Sequence, residues 1–129
     1  MKPLTLEWVD KAEGDFATAG RELRARKSPN YDAACFHAQQ MAEKYLKAFL
    51  QENDQPVPKT HSLIDLLALV IQVDTSFYLI RPDLERLDRF AVRFRYPGET
   101  ADRYEAKGAF QSALVVRQFT RPKLGINAL

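Results

Sequence analysis

The stretch YDAACFHAQQMAEKYLKAFLQE, from Tyr31 to Glu52, decides the fold class. Cys35, Ala38, Ala42, Leu46 and Phe49 recur at spacings of three, four, four and three, so on an α-helix they form one apolar line. Ala34, Met41, Tyr45 and Ala48 lie beside that line and widen it. A stripe this wide suits a helix buried against several neighbours rather than resting on one. Glu43 and Lys47 stand four residues apart, the spacing of a helical ion pair worth roughly 0.3 kcal/mol.

Working outward, the same period recurs on both sides. Residues 5–24 predict a first helix capped by Thr5, with Trp8, Ala12, Phe16, Ala19 and Leu23 on its inner face. Glu7, Lys11, Asp15 and Glu22 are assigned to water, and Gly14 and Gly20 each weaken the helix by up to about 1 kcal/mol. Residues 24–30, with Lys27-Ser28-Pro29-Asn30, form a turn. Pro56 and Pro58 end the central helix and hold residues 53–60 extended. A third helix covers about residues 62–73, capped by Ser62, with Asp65 in its first turn and Leu63, Leu66, Leu67, Val70 and Ile71 inward. A fourth covers about 82–94, begun by Pro82 and built on Leu84, Leu87, Ala91 and Phe94; residues 76–80 fit either this helix or a loop. Pro97-Gly98 breaks the chain. A last helix covers about 101–120, where Ala106, Ala109, Ala113 and Val116 give a small-residue face beside Phe110 and Leu114. Pro122 is expected to stop it, and residues 125–129 to fray.

Strict alternation never runs long enough for a strand. The expectation is therefore an all-α fold, an antiparallel up-and-down bundle of four to five helices. At 129 residues it is one domain, with its core at about 4–120 and a tail at 121–129. Net charge is only +2, so attraction to nucleic acid must come from a local basic site. The single cysteine, Cys35, excludes an intramolecular disulfide or a cysteine-based zinc site and agrees with a reducing compartment. Glu7 and Asp10 interrupt any secretory core near the start, and the longest apolar run, residues 66–71, falls far short of the ~20 residues that cross a bilayer. A cytoplasmic protein with no membrane contact is expected.

Several ordered motifs carry a family resemblance. The string Ala34-Cys35-Phe36-His37-Ala38-Gln39-Gln40-Met41-Ala42-Glu43-Lys44-Tyr45-Leu46-Lys47-Ala48 resembles the second-helix signature of the HEPN domain (higher eukaryotes and prokaryotes nucleotide-binding). Trp8 through Phe16 is similar to that family's opening helix, Thr60-His61-Ser62-Leu63 to its third-helix entry, and Arg95-Tyr96-Pro97-Gly98 to its late arginine-tyrosine-proline element. The resemblance covers about residues 4–120. It implies a helical bundle, commonly dimeric, often encoded beside a minimal nucleotidyltransferase with which it forms a toxin–antitoxin pair. Other members of that family are metal-independent ribonucleases that carry an arginine, four to six intervening residues and a histidine. This chain departs from that pattern. Its histidines are His37 and His61; the required positions hold Asn30, Tyr31 and Asp32 before one, and Asp54, Gln55 and Pro56 before the other. No histidine follows Arg93 or Arg95.

The most suggestive local feature runs from Arg86 to Tyr96. Arg86, Arg89 and Arg93 share a helical face, and Arg95 and Tyr96 follow where the chain leaves it. Guanidinium forks bind phosphate and an aromatic ring stacks on a base, so these five residues are candidates for a nucleotide, for RNA or for an acidic partner surface. The competing expectation is a solvated face paired with Glu85, Asp88, Glu99 or Asp102. His37 is a candidate general acid or base, and with Arg93 and Tyr96 would make a rearranged nuclease site. The competing expectation for His37 is a hydrogen bond inside a helix interface. His61 is assigned to packing or capping at a helix start, and Cys35 to an apolar, unreactive position. No metal-ligand spacing and no glycine-rich phosphate loop are present, so no metal or cofactor is expected. The preferred expectation is a homodimer, non-enzymatic or weakly active, that partners a minimal nucleotidyltransferase and engages phosphate through its arginines. The alternatives are a metal-independent ribonuclease toxin with an atypical site and a non-catalytic helical scaffold.

Overall fold

The structure, a computed structural model, describes residues 1–93 and 96–129. Among them every regular element is helical, with no strand: α1 (Pro3–Arg24), α2 (Tyr31–Glu52), α3 (Leu63–Val73), α4 (Arg81–Asp88) and α5 (Arg103–Lys123). Two 3-10 turns, Thr75–Ile80 and Arg89–Ala91, bracket α4. No helix of the described residues is long and apolar enough to cross a membrane.

The predicted apolar line of α2 is the centre of the molecule. Cys35, Ala38, Ala42 and Leu46 are wholly buried, and the helix packs against all four others. Asn30 starts it by accepting the Ala33 N–H at 2.9 Å. α1 lies antiparallel along it, from Thr5 beside Glu52 to Asp15 beside His37. Thr5 is not the cap expected of it. Pro3 opens α1 with no side-chain cap, and the buried Thr5 hydroxyl instead donates to Glu52 at 2.9 Å. Asp15 is likewise buried, not turned to water, because His37 and Lys44 supply its two oxygens with partners. The Glu43–Lys47 pair forms at 3.1 Å, but both side chains are buried, so it is a core ion pair and not a surface one. Lys47 also lies 5.7 Å from the ring of Trp8.

The ten-residue link 53–62 can reach about 33 Å when extended. It carries the chain back along α2, so α3 starts where Gln39 donates to the His61 carbonyl at 3.0 Å and runs in the direction of α2. Ser62 caps α3, accepting the Asp65 N–H at 3.1 Å. Residues 75–80 adopt the 3-10 turn and bury Phe77 between Phe49 and Phe119, at ring distances of 4.6 and 5.0 Å. α4 is shorter than expected and gives way to a 3-10 turn at Arg89; Phe94, assigned to it from sequence, lies outside the described residues.

α5 runs antiparallel to α4 and presents Ala106, Ala109, Ala113 and Val116 wholly buried, as the small-residue face requires. Pro122 does not stop it at residue 120; the helix continues through Pro122 to Lys123. The chain after α5 turns back onto the bundle. Leu124 is buried, Ile126 packs on the core, and Arg121 Nε donates to the Asn127 carbonyl at 2.5 Å. A further polar knot joins three helices: Glu13 of α1 takes both Arg117 Nε and Nη2 at 2.8 Å and the Tyr45 hydroxyl at 2.5 Å.

Candidate functional site: the cleft between α4 and α5

Leu84 and Leu87 are buried on the inner side of α4, which turns Arg86 and Arg89 outward toward α5. On α5 the alanine stripe faces the core, so Tyr104, Lys107 and Gln111, spaced three and four apart, share another face. Between these two surfaces opens a cleft of about 650 Å³, lined by Arg86, Arg89, Tyr104, Glu105, Lys107 and Gln111. Asp102 borders it and caps α5, accepting the Glu105 N–H at 2.7 Å. The volume is that of a small-molecule site.

The charges inside the cleft are ordered. Arg86 donates through Nη1 to Ser112 Oγ at 2.5 Å and lies 3.5 Å from Asp83, with its side chain half exposed. Arg89 Nη2 stands 3.6 Å from Glu105 Oε2. Arg93 donates to that same oxygen and reaches Glu99 at 3.4 Å. Burial opposes the charge of Arg93, but Glu105 and Glu99 outweigh it and raise its pKa further. Of the carboxylates expected to neutralise the cluster, only Glu99 is seen paired with one of its arginines among the described residues. Glu85 pairs with Arg81 at 2.9 Å, Asp88 accepts the Leu63 N–H at 2.7 Å, and Asp102 serves as cap. The carboxylate that draws the cluster together is Glu105.

The structure thus brings Arg86 and Arg89 to the cleft directly and joins Arg93 to it through Glu105. Arg95 lies outside the described residues. Tyr96 is 72% exposed and is not one of the residues lining the cleft. The aromatic ring on the cleft wall is Tyr104, 87% exposed, which the sequence reading passed over. Its signal was present: it stands two residues from Ala106, about 200° around the helix from the buried stripe.

His37 belongs to a different place. Its Nδ1 lies 2.7 Å from Asp15 Oδ1, and Lys44 Nζ holds the other Asp15 oxygen at 2.5 Å. Cys35 marks the side of α2 that faces the arginines. Burial first, then the charges of Glu105 and Asp32, push its thiol pKa up to about 12, while Arg89 and Arg93 pull the other way. His37 is two residues on, about 200° away, and looks toward α1. The grouping of His37 with Arg93 and Tyr96 is therefore not what the side chains form. His61 precedes the Ser62 cap, with its ring 70% exposed and Nδ1 at 3.1 Å from Glu43. Among the described residues no three His, Cys, Asp or Glu side chains cluster to hold a metal ion.

A family model described as the HEPN domain matches residues 5–123. The crystal structure of TT1696 from Thermus thermophilus is similar, with a TM-score of 0.74 and 26% sequence identity, over 92% of this chain and 97% of that one. No curated protein matches.

Proposed function

The chain belongs to the HEPN domain family, and on that premise we propose that it acts as a homodimeric, cytoplasmic partner of a minimal nucleotidyltransferase in a toxin–antitoxin-like pair, with the α4–α5 cleft receiving the phosphate of a nucleotide. The observation that carries the proposal is the convergence of Arg86 and Arg89 from one side and Lys107 from the other on a cleft of about 650 Å³. Guanidinium groups present paired donors to phosphate oxygens, and two opposed cationic walls fix where the anion sits. Arg95 and Tyr96 follow Arg93 in the sequence and are further candidates for contact with the same ligand or with the partner. The nuclease alternative needs a general base beside the scissile phosphate. The pairing of His37 with Asp15 on another face of α2 favours the binding role instead.

The partner is what the family implies; the phosphate site is what the cleft supports. Titration with ATP at low salt tests the site. Wild type is expected to bind with an affinity that falls as salt rises, and Arg86→Ala plus Arg89→Ala to bind more weakly with a flatter salt dependence. An affinity unchanged in the double variant at low salt contradicts the assignment. Co-expression with a nucleotidyltransferase encoded beside this chain tests the pairing, with co-purification expected.

A further inference from the structure

We propose that Tyr104 is the platform on which a nucleobase stacks, with Arg86 and Lys107 holding the phosphate of the same 5′-nucleotide. The proposal rests on the reading of the α4–α5 cleft as a phosphate site and names the class of ligand that site takes. A single exposed aromatic residue would by itself signify nothing. Tyr104 is different in its placement: it is 87% exposed on the wall of a cleft whose lining also carries Arg86, Arg89 and Lys107 beside the carboxylates of Asp102 and Glu105.

The spacing fits one nucleotide. Lys107 follows Tyr104 by three residues, on the same face and about 4.5 Å further along the axis of α5. Arg86 reaches α5 at Ser112, a buried residue five positions beyond Lys107. A phosphate held between Lys107 and Arg86 therefore leaves the sugar to bridge back toward the first turn of α5, where the phenol ring offers its face. Arg86 lies 3.5 Å from Asp83 and Arg89 3.6 Å from Glu105, so both keep a carboxylate neighbour on the wall that faces Lys107, and Arg89 stands beside Arg86 as a further cation for the phosphate. Gln111, on the same face of α5, adds an amide that can both donate and accept. Phosphate contacts position a ligand without reading its base; a stacked ring separates a nucleotide from a bare sugar phosphate.

The experiment measures AMP and ribose 5-phosphate binding to wild type, Tyr104→Ala, Tyr104→Phe and Arg86→Ala by titration calorimetry. Base stacking predicts that wild type prefers AMP by about tenfold or more. Tyr104→Ala should remove that preference while leaving ribose 5-phosphate affinity as it was, and Tyr104→Phe should retain it. An AMP preference that survives in Tyr104→Ala, with Arg86→Ala weakening both ligands, overturns the platform and leaves the phosphate site standing. If neither ligand responds to Arg86→Ala, or neither binds wild type, the phosphate site fails and the platform with it. Helical circular dichroism of each variant checks that the bundle is intact.

Discussion

Glu105 occupies the position an incoming phosphate would contest, since its Oε2 holds Arg93 and lies 3.6 Å from Arg89. A ligand that takes these guanidinium groups must first displace a carboxylate already satisfied by them. Glu105→Gln keeps the shape and the backbone N–H that Asp102 caps, but removes the competing charge. ATP titration of that variant should show tighter binding than wild type, by about fivefold given the strength of charge-assisted hydrogen bonds; weaker or equal binding would make Glu105 a contributor to the site instead. Cys35 offers a second check at this scale. Its thiol is buried and its pKa is pushed up to about 12, so almost no thiolate exists at neutral pH. A thiol reagent should label the native protein far more slowly than the denatured one. Both the burial of Cys35 and the outward arginines were legible from periodicity alone. The burial of Asp15 and of Thr5 was not, because a polar residue on an inner face is accommodated by partners far away in the chain: His37 and Lys44 for the one, Glu52 for the other.

At the scale of elements, helix identity followed from the apolar stripes, and the bounds of α2 from Asn30 at one end and the proline-bearing link at the other. What periodicity could not supply was the depth at which a pair lies. Glu43 and Lys47 are both buried, and Glu43 Oε1 also meets His61 Nδ1 at 3.1 Å. Removing one partner of a buried pair strands the other charge, so Lys47→Ala should cost about 3 kcal/mol in denaturant unfolding, roughly ten times the surface value. A loss below about 0.5 kcal/mol would show that the pair behaves as an exposed one. The same limit explains Pro122. Proline is an unfavourable helix residue, yet the last turn of α5 is held from outside by Leu124 in the core and by the tail carbonyls that Arg121 and Arg117 grip. Tertiary contact outweighed the local signal there. The direction of α3 was equally hidden, since it depends on where the extended link 53–62 leads and not on any residue within the helix.

At the scale of the whole molecule, the Glu13 knot ties α1, α2 and α5 together, and it carries a pH signature. Burial, and then the hydrogen bond to Glu13, raise the Tyr45 pKa from 10.0 to about 12. The folded state thus keeps a proton that the unfolded chain releases. The stability this contributes is fully present below pH 10 and is lost as pH rises through about 12. Urea unfolding across that window should show a steep decline in wild type and a shallower one in Tyr45→Phe. The cleft lies between α4 and α5, so its walls come from segments that meet only once the bundle closes. That is why the outward face of each helix was legible in the sequence and the meeting of Tyr104 with the arginines was not: a helical face can be read locally, but its partner across a cleft cannot.

The central claim is that the functional surface lies between α4 and α5, and a backbone amide NMR titration with ATP tests it most directly. The account predicts chemical-shift changes concentrated at residues 86–93 and 102–111. Shifts confined to the α1–α2 face around Asp15, His37 and Lys44, with the cleft undisturbed, would contradict it.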